Sequence, residues 1–206
     1  TIVGSTSAQA DSINAGDDDD LIQFTTTANM IAASIDGGAG VDTLELTTNA
    51  QTLIDTDFAR IVGNSIEELT LADGANNVTL GSDAADATQN LTVNGGAGND
   101  TINVAALGEA ATILSGLGDD TIVGSDYAET ISTGAGNDYI DARYGASAAK
   151  VVNAGLGDDS VLTGSGSDYI YLGAGNNTGD AGRGDDTVIA GTGNDYISLT
   201  SGENLV

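Results

Sequence analysis

GGAGNDTINV, residues 95–104, decides how this chain folds. Glycine at alternate positions lets the backbone enter left-handed φ without steric cost, so the first six residues read as a tight turn. The three that follow, with Ile102 in the centre, read as a short strand. GGAGVDTLEL at 37–46 has the same form, and related copies begin at Ser115, Thr133, Ala154, Thr163, Ala181 and Ala190. The unit is nine residues long: a glycine turn ending in an acidic or amide residue at its sixth position, then a strand with an aliphatic centre.

The aliphatic centres keep register along the chain. They fall at Ile102, Ile113, Ile122, Ile131, Ile140, Val152, Val161, Ile170, Gly179, Val188 and Ile197, nine residues apart except around Ile102–Ile113 and Ile140–Val152. Two units make a coil of 18 residues with a turn on each side. Parallel strands then stack about 4.8 Å per coil. The class expected is all-β, a parallel β-roll or β-solenoid. The absence of proline fits strands that donate every N–H.

Turns of one side recur every second unit. One column of sixth positions is Asp100, Asp120, Asp138, Asp159, Asn177 and Asp195; the other is Glu129, Lys150, Asp168, Asp186 and Asn204. Each lies two residues before an inward aliphatic residue, so its side chain points inward as well. Carboxylates stacked one coil apart repel each other in a low-dielectric interior. A hard divalent cation between the turns removes that repulsion. Ca²⁺ takes six to eight oxygens in flexible geometry, and glycine turns present carbonyls without obstruction. Mg²⁺ prefers a tight octahedron with its own waters, and zinc or copper would want His or Cys, both absent.

The expected metal ligands are therefore Asp20, Asp42, Asp100, Asp120, Asp138, Asp159, Asn177, Asp195, Asp168 and Asp186. Carbonyls are expected from Gly38, Gly40, Gly96, Gly98, Gly116, Gly118, Gly134, Gly136, Gly155, Gly157, Gly164, Gly166, Gly173, Gly175, Gly182, Gly184, Gly191 and Gly193. Asn177 is expected to contribute its oxygen with weaker affinity. Asp119, Asp158 and Asp185, at fifth positions, are expected to face solvent. Tyr139, Tyr169 and Tyr196 are expected to form an outward row. Lys150 stands where the repeat expects a carboxylate. Two readings are open: a built-in cation between Glu129 and Asp168, or a side chain reaching solvent past an insertion at 144–149.

Composition limits the functions available. The chain of 206 residues has 31 acidic and 4 basic residues, a formal charge of -27, with 40% hydrophobic residues. So acidic a surface is a poor match for nucleic acid or anionic membranes, which need clustered Lys and Arg. No apolar run approaches the roughly 20 residues of a membrane helix, so direct membrane insertion is not expected. Without His, Cys or Trp, and with its carboxylate pairs explained by metal, the chain reads as no enzyme.

These repeats resemble the hemolysin-type calcium-binding (RTX) repeat family, G-G-x-G-x-D-x-U-x. The resemblance covers 95–200 well, with further copies near 15–22 and 35–44. It implies Ca²⁺ as the bound ion, calcium-dependent folding outside the cell and type I secretion. Three segments are expected within one elongated domain: repeat-like coils at 1–45, metal-poor spacer coils at 46–92 and the main calcium roll at 93–206. The interleaved spacer, and the echo of residues 1–24 in those from Thr121, are more similar to S-layer and large surface proteins than to toxin or protease tails. A structural segment of an S-layer or extracellular filament is therefore expected, self-associating into an array or filament. The alternatives are a secretion and folding module of an enzyme or toxin, or a calcium-dependent adhesin, for which a cell-surface glycan would be the partner. Both chain ends fall inside repeat-like sequence, which suggests a segment of a longer chain.

Overall fold

The structure, a computed structural model, describes residues 1–4, 11–61, 66–82, 84, 90–145 and 147–206. Every strand pairing among them is parallel, and successive strands alternate between two sheets. The ten-stranded sheet runs from Ile2–Val3 through Leu21–Phe24, Thr43–Leu46, Glu68–Leu71 and Leu91–Asn94 to Thr187–Ile189. The eight-stranded sheet runs from Thr52–Leu53 to Tyr196–Ser201. Ser12–Asp17 and Ser34–Ala39 pair separately. This is the β-solenoid that the nine-residue period requires: a strand too short to be stable alone is held by its equivalents one coil away.

The aliphatic centres form two stacked columns. Ile113, Ile131, Val152, Ile170 and Val188 align on the ten-stranded sheet. Ile102, Ile122, Ile140, Val161, Gly179 and Ile197 align on the other. All are buried except Ile197, which is half-buried. Gly179 interrupts its column, and Leu172 fills the space; a Cβ on Gly179 would lie 3.2 Å from a Leu172 methyl.

Residues 46–92 continue the same ladders. Glu68–Leu71 and Asn77–Thr79 supply strands, and Ile66, Leu69, Leu71, Val78 and Leu80 are buried. Coils here are longer. Leu44 pairs with Leu69, 25 residues on, whereas Ile170 pairs with Val188, 18 residues on. The extra residues include a single helical turn, Asp55–Phe58, which buries Phe58; the 22-residue coil before it has a similar turn, Thr27–Met30, which buries Met30. Residues 5–10 of the N-terminal echo, and Ala146 of the 144–149 insertion, lie outside the described residues.

The tyrosines do not make one row. Tyr139 and Tyr196 lie on the eight-stranded sheet and Tyr169 on the ten-stranded one, because alternate units feed opposite sheets. All three are exposed.

Candidate metal centres between stacked turns

Each turn ends in a sixth-position side chain that reaches back to the coil before it. The Oδ1 atoms of Asp120, Asp138 and Asp159 accept the backbone N–H of Asp100, Asp120 and Asp138 at 2.8, 2.8 and 2.9 Å. Asn177 and Asp195 continue the series at 2.9 Å each. On the other side Asp168, Asp186 and Asn204 accept from Lys150, Asp168 and Asp186. Asp42 accepts from Asp20, and Glu67 from Asp42. The two columns read from the sequence are thus two inner ladders, the first continuous from Asp100 to Asp195. The second is interrupted where its register meets Leu91 and Ala111, both buried and apolar.

In seven of the aspartates one oxygen is used in this way, and the other is not. The Oδ2 atoms of Asp42, Asp100, Asp120, Asp138, Asp159, Asp168 and Asp186 are buried without a hydrogen-bond partner. A buried anionic oxygen left unpaired is costly, and repeating it coil after coil calls for a cation. Burial pushes the carboxyls of Asp100 and Asp159 up to about 6, with the neighbouring Asp120 and Asp138, respectively, adding to the effect. Burial also raises Asp42, Asp120, Asp138 and Asp168. The first-position hydroxyls of Ser115, Thr133 and Thr163, which sequence reasoning missed, donate to the Thr133, Ala154 and Ala181 carbonyls of the next coil.

Among the described residues no three acidic, His or Cys side chains converge on one point. An ion between turns would therefore need main-chain oxygens to complete its shell, which suits Ca²⁺. The turns are built for such approach. Gly96, Gly98, Gly116 and Gly118 all have positive φ, and a Cβ on Gly116 would lie 1.8 Å from the Gly96 carbonyl oxygen. Second-position carbonyls accept one backbone bond from the next coil, as Gly96 does from Leu117 at 3.2 Å, and retain a second lone pair.

The expected residues are not all equivalent. Gly164 and Gly166 lack the positive φ of the other glycines expected as ligands; they rest on the carbonyls of Arg143, Gly145 and Ala148, with Ala148 O 2.4 Å from where a Gly166 Cβ would stand. In the first turn Asp18, at φ 78°, replaces the fourth-position glycine, and short polar side chains tolerate that region. Asp20 and Asp195 are only half-buried. Asn177 departs from expectation. Its oxygen is taken by the Asp159 N–H, and its buried Nδ2, unpartnered, occupies the place where the aspartates hold Oδ2.

The fifth positions face solvent, as Asp119, Asp158 and Asp185 do, but they also form a ladder. Asn99, Asp119 and Asn137 accept the N–H of Asp119, Asn137 and Asp158 at 3.0, 2.7 and 2.8 Å. This outer ladder runs the opposite way to the inner one: each side chain reaches forward to the next coil. Asn and Asp alternate from Asn99 to Asn176, which separates the charges.

Lys150 is buried, with 1% of its side chain exposed, and does not reach solvent. Its Nζ lies 2.8 Å from Glu129 Oε2 and 2.8 Å from the Ser125 carbonyl, and also bonds the Tyr127 carbonyl. The other side has a counterpart that sequence reasoning missed. Asn76 Nδ2 has four oxygens at 3.0–3.1 Å: the carbonyls of Ala72, Gly74 and Gly95, and Asp100 Oδ1. Its turn lacks the G-x-G-x-D signature that marks the others.

The family model of the RTX calcium-binding nonapeptide repeat matches residues 4–24, 92–106, 112–148, 151–179 and 173–206, more than half of the chain. No curated protein and no solved structure matches.

Proposed function

Because the chain belongs to the RTX calcium-binding repeat family, whose repeats bind Ca²⁺, we propose that this calcium-binding module of secreted proteins is a structural segment of a bacterial surface protein, an S-layer or extracellular filament reached by type I secretion. The observation that carries the calcium reading is the line of buried Oδ2 atoms without partners. We assign the ions to the positions between stacked turns. Asp100, Asp120, Asp138, Asp159 and Asp195 would hold them on one side, and Asp20, Asp42, Asp168 and Asp186 on the other, with glycine carbonyls completing each shell. Asn177 would bind weakly, since its amide nitrogen faces the ion position. About seven ions per chain are expected.

The role of the ion is structural. It neutralises stacked carboxylates that would otherwise hold the coils apart, so site formation and folding are one event. Nothing in this reading requires catalysis by the chain.

Self-association is the finer part of the proposal. Val151, Tyr169, Tyr171 and Ile189 stand together on the outer face of the ten-stranded sheet and are exposed. A contiguous apolar patch on so acidic a chain supports contact with another protein surface. The test is light scattering of the protein during calcium addition. Calcium-dependent growth to large ordered species is expected. A protein that folds on calcium by circular dichroism yet stays monomeric would favour the secretion-module alternative.

A further inference from the structure

Lys150 is the single lysine of the chain, the other three basic residues being arginines, and it is fully buried. Its backbone N–H joins the inner ladder normally, donating to Asp168 Oδ1 at 2.8 Å. Its side chain does something else. The ammonium lies between its own turn and the turn before, held by the carbonyls at the second and fourth positions of that turn, Ser125 and Tyr127, and by the sixth-position Glu129.

The other column contains a similar arrangement built from a different side chain. Asn76 Nδ2 contacts the second- and fourth-position carbonyls of its own turn, Ala72 and Gly74, and the sixth-position carboxylate of the next turn, Asp100, whereas Lys150 takes its carbonyls and carboxylate from the turn before. Two unrelated side chains therefore place a positive or hydrogen-bearing nitrogen in one equivalent position, among oxygens alone. That is the environment a cation between turns would have.

We propose that the Lys150 ammonium is the resident cation of the position between the turns ending at Glu129 and Lys150, so that this position takes no calcium while the positions between stacked aspartates do. The inference rests on the calcium reading above. Charge balance supports it. Between stacked aspartates, as at Asp120 and Asp138 or Asp168 and Asp186, two carboxylates would face one divalent ion; here Lys150 replaces one carboxylate, and its single charge matches Glu129. Calcium added beside the ammonium would find one carboxylate and a like charge. Glu129 has no need of a further cation, since Oε1 accepts the Ser125 N–H and Oε2 is paired with Lys150.

The test has two parts. Bound calcium per chain, measured by equilibrium dialysis with elemental analysis, should rise by about one ion in Lys150→Asp, which restores the second carboxylate. An unchanged count in a variant that folds on calcium like the parent would overturn the proposal. Calcium anomalous scattering from crystals of the unaltered protein covers the case where the variant does not fold. Peaks are expected between the turns ending at Asp120 and Asp138, and none between those ending at Glu129 and Lys150. A peak at the latter position would refute the proposal alone. Absence of peaks at every position would instead remove the calcium placement on which it rests.

Discussion

Residues 21–94 and residues 95–201 build the same solenoid with different means. In the first region coils are 22–25 residues long and bury Phe24, Met30, Phe58 and several leucines. The turn-ending residues on one side are the amides Gln51 and Asn76, whose nitrogens bond carbonyls of their own turns. In the second region coils shorten to 18–21 residues, and the core reduces largely to one aliphatic side chain per strand. The turns end in carboxylates with one buried oxygen unpaired. On that side the first region closes its turns with its own donors and a larger apolar core, while Asp42 on the other side keeps an unpaired oxygen. The second leaves that task to an ion. Calcium dependence should therefore differ along one continuous fold.

The largest expected effect is regional. On removal of calcium, backbone amides of 95–201 should lose about three orders of magnitude of hydrogen-exchange protection. Those of 66–80 should change far less. Equal loss in both regions, read by mass spectrometry, would mean that the amide-capped coils have no stability of their own.

A smaller effect should follow pH in the calcium-free protein. The carboxyls of Asp100 and Asp159 sit at about 6 in the folded chain against an ordinary value of 3.8. A raised carboxyl pKa means the folded state holds its proton more tightly. The resulting stability is fully present below about 3.8 and is lost as pH rises through about 6. Calcium-stripped protein should accordingly gain β signal by circular dichroism as pH falls from 7 to about 5, chiefly from the second region. An identical spectrum at both values would contradict the burial of those carboxylates.

The smallest effect tests one residue within the second region. Asn177→Asp should replace the inward Nδ2 with an oxygen and tighten calcium at the adjoining position about tenfold. Calorimetry showing no tighter class of site would indicate that Asn177 already serves through its oxygen.

Much of this was legible in the sequence, for a physical reason. Strand register in a solenoid is fixed by the repeat, so counting in nines from Ile113 placed both inner ladders and both aliphatic columns. The details that escaped depend on atoms rather than on spacing. Which atom of Asn177 faces inward is decided by the Asp159 N–H, which claims its oxygen. Asn76 was overlooked because its turn has a single glycine and no repeat signature. The backbone at Gly164 and Gly166 follows Arg143, Gly145 and Ala148 in the coil before, which no local pattern at 163–168 encodes. Lys150 was the opposite case: a basic residue out of pattern in a column of acids left two readings, and burial chose between them.

The counter-running ladders have a mechanical consequence. Inner side chains grip the coil before them and outer side chains grip the coil after, so each turn is clasped from both directions at two radii. A force that slides one coil across its neighbour must stretch both sets at once, whichever way it acts. Peeling from the end at Asp195 back to Asp100 meets the same clasp at every step. The rod should therefore resist shear with little dependence on direction, and yield in discrete steps, coil by coil, rather than by gradual extension.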